Sequence, residues 1–251
     1  GLGVSGPQVS EGWHGVRFDK PLTRTREYVA IVRKALAREK VVFDGEFFTL
    51  PLPDGPGKAL TLTVHPVREH IPIYLAAIGP KNLELTGEIA DGWLAIFFAP
   101  ESADDIMAPL RAGREKAGKS MDGFDVVPTV PVVLGPDPVA CADPIRAYSA
   151  LYIGGMGSRD KNFYNRYARD LGYEAAAVAI QDLFLAGRKE EAVQAVPDAF
   201  VDEIALVGPL ARIRERAGAW KRLGAEGKVG TLILGMRQPE HLDAIAGILL
   251  G

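Results

Sequence analysis

One cysteine in 251 residues, Cys141, excludes an internal disulfide framework. Such sparse cysteine suits a reducing compartment, and we expect a cytoplasmic protein. No apolar run approaches the ~20 residues of a membrane span, and no basic stretch leads into an apolar one as in a signal peptide. Neither sign of charge dominates: 29 Lys and Arg face 32 Asp and Glu, for a net charge of -3. Long-range attraction to nucleic acid or an anionic membrane is therefore not expected. The four histidines, His14, His65, His70 and His241, are not spaced as a metal pair such as HExxH, so no metal site is expected. There is no GxSxG elbow and no CxxC, and neither a low-complexity tract nor a solenoid repeat. An initiator Met is also lacking. The chain opens "GLGVSGPQ", where Leu2 and Val4 read as the tail of a buried strand already under way. We expect an N-terminal truncation, with a processed terminus as the alternative.

What is present suits a globular protein. The 47% hydrophobic fraction is enough for a sizeable core, and the length fits one large domain or two small ones. Helical spacing predicts a helix over 22–38, with Val29, Val32 and Leu36 recurring. "VVFDGEFFTL" carries a hairpin signal at Asp44-Gly45, and the Pro- and Gly-rich "PLPDGPGKAL" is a loop. Beyond it, strands are predicted over 71–77, 92–98 and 124–134, and a short apolar one at "GTLILG". Helices fall over 81–90, 101–116 and 138–151, a long helical stretch over 160–196, and two more opened by Pro209 and Pro239. In the first of these two, Leu210, Ile213, Ala217, Trp220 and Leu223 share an apolar face. In the second, Leu242, Ile245 and Leu249 are expected to face inward.

Strand followed by helix recurs about five times, and the strands are continuous apolar runs with both faces expected to be buried. That pattern means a parallel sheet with helices outside. An open doubly wound sheet and a (β/α)8 barrel both fit, the barrel lacking about three units.

In either architecture ligands gather at the carboxyl ends of the strands. "AAIGPKN" lies at such an end. Ala76, Ala77 and Gly79 have almost no side chain, so a flat ligand can approach the backbone. The helix from Pro80-Lys81 aims its free N–H groups at the same place, which suits phosphate. An ordinary strand–helix turn would also use this Gly and Pro. "GLGVSGPQ" repeats the theme, with Ser5 and Gly6 where its strand opens.

Taken together, "GLGVSGPQVSEGWHG", "IPIYLAAIGPKNLELTGEIADGWLAIFF" and "GSRDKNFYNRYARDLGYEAAA" resemble the luciferase-like monooxygenase superfamily, and within it the coenzyme F420-dependent oxidoreductases. The resemblance runs along essentially the whole chain. It implies an α/β fold, a (β/α)8 TIM barrel of the bacterial luciferase-like type, N-terminally truncated so that strands 4 to 8 are present. The chain would be a single domain over 1–251 with a helical insertion at 155–207. It also implies a deazaflavin, coenzyme F420, or alternatively FMN, across the strand ends, and hydride transfer between that ring and a small organic substrate. Cofactor contacts carry over to Ser5, Gly6, Ile78, Gly79 and Lys81, the family presenting backbone groups at the positions of Ile78 and Gly79. Two departures follow. The first three βα units are absent, and with them a strand-end acid/base position often filled by His, so the catalytic residue is unassigned. Pro7 stands where the sugar-phosphate dehydrogenases place a catalytic Glu, which argues against a sugar-phosphate substrate. Homodimers are usual in the family, and one is expected here.

Other residues divide between ligand and structure. His14, beside Trp13, is a candidate for substrate contact. Phe97 and Phe98 end a strand and could wall a substrate pocket or pack the core. Arg237, after the last strand with Met236, could meet an anionic group. Asp91 sits in a helix-to-strand turn, away from the chemistry, and reads as structural. Arg24, Arg26, Arg33, Lys34, Arg38 and Lys40 form a solvated helix face or a groove for the polyglutamate tail of F420. Cys141 is a small packing residue.

Three functions remain open at this point: an F420-dependent oxidoreductase, an FMN-dependent monooxygenase of the same superfamily, and a non-catalytic incomplete barrel with a binding or structural role. The missing start supports the last, and the open sheet edges of five βα units would leave such a chain less stable or paired with something.

Overall fold

Short strands alternate with longer helices, and every pairing between the core strands described below is parallel. The computed structural model describes residues 1–251. They form two compact units, Gly1–Trp93 with Pro109–Phe124, and Leu94–Ala108 with Asp125–Gly251.

In the first unit β1 (Leu2–Gly3) is followed by α1 (Pro7–Ser10), α2 (Pro21–Leu36), β2 (Phe43–Asp44), β3 (Thr49–Leu50), β4 (Tyr74–Ala76) and α3 (Pro80–Ile89). β1 and β4 pair in parallel, Leu2 opposite Leu75 and Gly3 opposite Ala76. α2 starts on Pro21 and ends on Arg33 and Lys34, which suit the negative end of its dipole.

The expected hairpin forms, but its loop holds four residues, since Phe43 pairs with Leu50 and Asp44 with Thr49. The cause lies on α2. Glu27 is buried and accepts from the backbone N–H groups of Glu46 (2.7 Å), Phe47 (2.9 Å) and Phe48 (3.2 Å). The loop thus wraps a carboxylate. A Cβ on Gly45 would lie 2.6 Å from that carboxylate, so glycine is required there.

α3 is held from below by another helix at van der Waals range. A Cβ on Gly87 would lie 2.2 Å from the Leu110 carbonyl, and one on Gly113 would lie 1.9 Å from that of Glu84. Two absent side chains therefore set the approach of the backbones. Cations collect at the C-terminal end of α3: Arg26 makes a two-bond contact with Glu88 (2.5 and 2.6 Å), Lys119 reaches the Glu88 carbonyl and Arg33 that of Ile89. Its N-terminal end is left free.

β5 (Gly92–Ala95) and α4 (Ala103–Lys116) contribute residues to both units. The second unit continues with β6 (Asp125–Leu134), α5 (Pro138–Ala150), a π-helical turn (Leu151–Gly155), α6 (Phe163–Asp170), α7 (Glu174–Leu185), α8 (Lys189–Gln194), α9 (Asp198–Ile204), β7 (Leu206–Gly208), α10 (Leu210–Ala225), β8 (Ile233–Met236) and α11 (Leu242–Leu250). β6 is the hub. Its middle pairs with β8, Thr129 opposite Ile233, and its end with β7, Val132 opposite Leu206. The Gln238 amide extends the ladder, accepting from the Leu134 N–H and donating to its carbonyl, both at 2.9 Å.

The long helical stretch is broken into α6, α7 and α8 because Gly172 (φ +94) and Gly187 (φ +80) end two of them in left-handed turns. β7 has three residues between two helices, too few for an alternation pattern to show. The face of α10 buries Ile213, Ala217, Trp220 and Leu223. Two expectations fail. Leu242 is exposed, and Ile248 is buried beside Ile245 instead, one turn along the same stripe. β8 leaves Ile233 exposed, so only one face of that strand is covered. No helix is long and apolar enough to cross a membrane.

Candidate functional site

The parallel register of β1 and β4 brings both motifs to one edge. The last paired residues are Gly3 and Ala76, so Ser5 and Ile78 each follow two residues beyond the ends of neighbouring strands. Both strands end there in left-handed backbone: Ser5 has φ +59 and Gly79 has φ +84. Nothing lies within 4 Å of the point where a Cβ on Gly79 would sit, so the ground above it is open. Gly79 is also the N-cap of α3, with no side chain capping that end and Pro80 at its first position. The N–H groups of Lys81 and Asn82 are left without helical partners, as at every helix start. Lys81 is also exposed. Open glycine ground, free N–H groups and one cation suit a flat group with an anionic appendage.

Behind the shelf, Trp93 is buried and its indole N–H donates to the Ala77 carbonyl at 3.0 Å. That bond fixes the last peptide before Ile78. Sequence reading did not single out Trp93, although an N–H donor inside an otherwise apolar strand was its signal.

At the opposite end of β4, Asp91 accepts from the Ile73 N–H (2.8 Å) and from Arg33 (2.9 Å), and its other oxygen lies 3.1 Å from the His70 Nε2. Burial opposes its ionisation, but the Ile73 N–H, Arg33 and His70 outweigh burial and hold it below the usual carboxylate range. Its role is structural. The basic face of α2 is mostly engaged: Arg26 with Glu88, Arg33 with Asp91, Lys34 with Glu39, and Arg38 on the Leu62 carbonyl. Arg24 stacks 4.4 Å from the Phe47 ring. It also lines, with Arg17, Tyr28, Phe48 and Leu2–Val4, a cleft of about 370 Å³.

The remaining candidates lie elsewhere. His14 is exposed in the turn after α1, its N–H on the Val9 carbonyl. Phe97 and Phe98 are buried, at 2% and 0% exposure, so neither offers an open wall. Phe98 packs on Trp220, and Phe97 packs among four other rings. They serve the core of the second unit because the strand turns them away from solvent. Arg237 is exposed directly after β8. Cys141 is buried among the core residues of that unit. A hollow of about 480 Å³ lies between α10 and α11, lined by residues that include Leu210, Arg214, Lys221 and Asp243, none of them at a strand end.

Comparison with known proteins gives a consistent result. A protein of Mycobacterium tuberculosis, provisionally named a coenzyme F420-dependent oxidoreductase, is 44% identical over 231 residues, 89% of this chain and 67% of its own. A 5,10-methylenetetrahydromethanopterin reductase of Archaeoglobus fulgidus is 27% identical over 248 residues, 97% of this chain and 70% of its own. Among solved structures, the F420-dependent tetrahydromethanopterin reductase of Methanopyrus kandleri superposes with a TM-score of 0.69 at 20% identity, over 90% of this chain and 60% of its own. An F420-dependent secondary alcohol dehydrogenase, in complex with an F420-acetone adduct, gives 0.68 at 16% identity, over 97% of this chain and 68% of its own. The chain thus spans roughly two thirds of the length of these relatives. At such identities the structures establish the fold, the luciferase-like α/β barrel type. Residues 1–227 match the family described as luciferase-like monooxygenase, and the chain belongs to that family.

Proposed function

We propose that this chain is part of a coenzyme F420-dependent oxidoreductase that moves a hydride between the deazaflavin and a small organic substrate. The observation that carries the proposal is the shelf at Gly79, open above a left-handed glycine and flanked by the free start of α3. The 44% identical relative, named for F420, supports the choice of cofactor. Coenzyme F420 supplies a ring carbon that gives or takes the hydride.

The chain's own residues bind and orient. Ile78 and Gly79 present backbone to the ring, Gly79 leaving the space a side chain would fill. Ser5 and Gly6 bring a hydroxyl and a second small residue to the same edge. Lys81 and the first N–H groups of α3 hold the anionic part of the cofactor. Trp93 keeps the Ala77 peptide in place beneath the shelf. Arg237 stands at the carboxyl end of β8 as a candidate for an anionic group.

A homodimer belongs to the same reading. The exposed side chains of Val42, Leu52, Leu60, Val64 and Val67 are apolar surface that association would cover. Sedimentation would show a dimer, and a monomer at micromolar concentration would contradict it.

Fluorescence titration with F420, with FMN in parallel, tests the cofactor. The proposal expects saturable F420 binding, weakened by Lys81→Ala about tenfold and less so in high salt. FMN binding in place of F420 would move the chain to flavin chemistry.

A further inference from the structure

Phe97 stands in the left-handed region, φ +53, just beyond β5. For a bulky aromatic residue that is a true outlier, and such strain persists only where the surroundings impose it. Four rings surround it, with centroids at 5.7 Å (Tyr148), 5.9 Å (Tyr152), 6.2 Å (Tyr164) and 5.8 Å (Phe200), all edge-on. The tyrosines also meet one another, Tyr148 and Tyr152 at 4.5 Å and Tyr152 and Tyr164 at 4.7 Å. Phe97 and Phe200 are buried, whereas Tyr148 is 37% exposed and Tyr152 and Tyr164 are half-buried. The cluster has a buried floor, Phe97 and Phe200, and a partly exposed rim of three tyrosines.

The backbone holds that rim in place. Tyr152 belongs to the π-helical turn Leu151–Gly155, a rare geometry that is frequent at functional sites. Its loosened carbonyls are taken by two buried amides. Asn162 donates to the carbonyls of Tyr152 (3.0 Å) and Ile153 (2.9 Å), and Asn165 to that of Ile153 (3.1 Å). Gly154 and Gly155 lie under Phe184, where a Cβ on either would come within 2.5 Å of the ring side chain. Burial and the neighbouring Tyr152 and Tyr164 raise the ionisation of Tyr148 well above its ordinary value. Burial and Tyr152 raise that of Tyr164. Tyr148 and Tyr164 are therefore neutral donors at physiological pH.

We infer that Tyr148, Tyr152 and Tyr164 form a binding subsite for a flat, uncharged ring bearing a carbonyl oxygen, such as a cyclic enone or quinone. The ring packs against the aromatic edges and its oxygen accepts from a tyrosine hydroxyl. The place of this subsite as the substrate side of the protein rests on the oxidoreductase reading; the subsite itself does not.

The test uses 2-cyclohexen-1-one as probe, followed by ligand-observed NMR, with F420 titrated separately. Tyr148→Phe, Tyr152→Phe and Tyr164→Phe keep the rings and remove one hydroxyl each. At least one is expected to weaken the enone about tenfold, leaving F420 affinity and the melting temperature unchanged. Cyclohexene, which lacks the oxygen, is expected to bind weakly and equally to all. Absence of enone binding, equal binding by all three variants, or preference for tetramethylammonium would overturn the subsite. Hydroxyl-dependent enone binding without F420 binding would uphold the subsite and sink the oxidoreductase reading.

Discussion

Gly79 acts through what it lacks. Its φ of +84 admits few side chains, and the open space above it makes backbone the first surface a ligand meets. Trp93 is its counterpart below. Replacing Trp93 with Phe leaves the Ala77 carbonyl without its indole donor, at an expected cost of roughly 1–3 kcal/mol. Urea unfolding would show the lower midpoint, and F420 affinity should fall with it because the shelf loosens. An unchanged midpoint would mean that the indole bond does not hold the shelf. The turn itself was legible in the sequence, because Gly-Pro after an apolar run marks a strand that ends and a helix that starts. Phe97 and Phe98 were not, since whether an aromatic pair faces a pocket or a core depends on φ at one residue.

α3 joins the shelf to its support. Its start is free for a ligand, its end is crowded with cations, and its middle touches α4 backbone to backbone through Gly87 and Gly113. Gly113→Ala forces a Cβ to within 1.9 Å of the Glu84 carbonyl. The expected result is a loss of roughly 1–3 kcal/mol from overpacking, read by thermal melting, with weaker F420 binding as α3 shifts. Wild-type stability would show that the two helices separate without cost. The elements that came through clearly in the sequence, α2, α3, β6 and α10, are long or bounded by proline. Those that were missed or merged have specific causes. β7 is only three residues long, the π turn has a helical composition, and the breaks at Gly172 and Gly187 depend on a positive φ that glycine allows but does not announce. The hairpin loop was misjudged because its length is set by Glu27, 19 residues upstream of Glu46.

For the whole molecule, buried and paired carboxylates set the response to acid. Around Glu27 burial is outweighed by the N–H groups of Phe47, Glu46 and Phe48 and by Arg24; Glu88 is held by Arg26; Glu101 overcomes burial through Arg216. With Asp91 they sit below the ordinary range, near 4 in an unfolded chain. At pH values between the folded and unfolded pKa, the unfolded chain binds more protons, so stability rises with pH. It should therefore be level above about pH 5 and fall as pH drops through the depressed values. Glu27→Gln should flatten that acid limb, and an identical limb in the variant would exclude Glu27 as its source. The central claim is that the edge formed by β1 and β4 is a cofactor shelf. The measurement that tests it most directly is an F420 fluorescence titration of the wild-type chain and of Gly79→Val, with melting followed on the same samples. The account predicts saturable binding by the wild type and at least about tenfold weaker binding by a variant that still melts cooperatively. Equal affinity in the two, or no binding by the folded wild type, would contradict it.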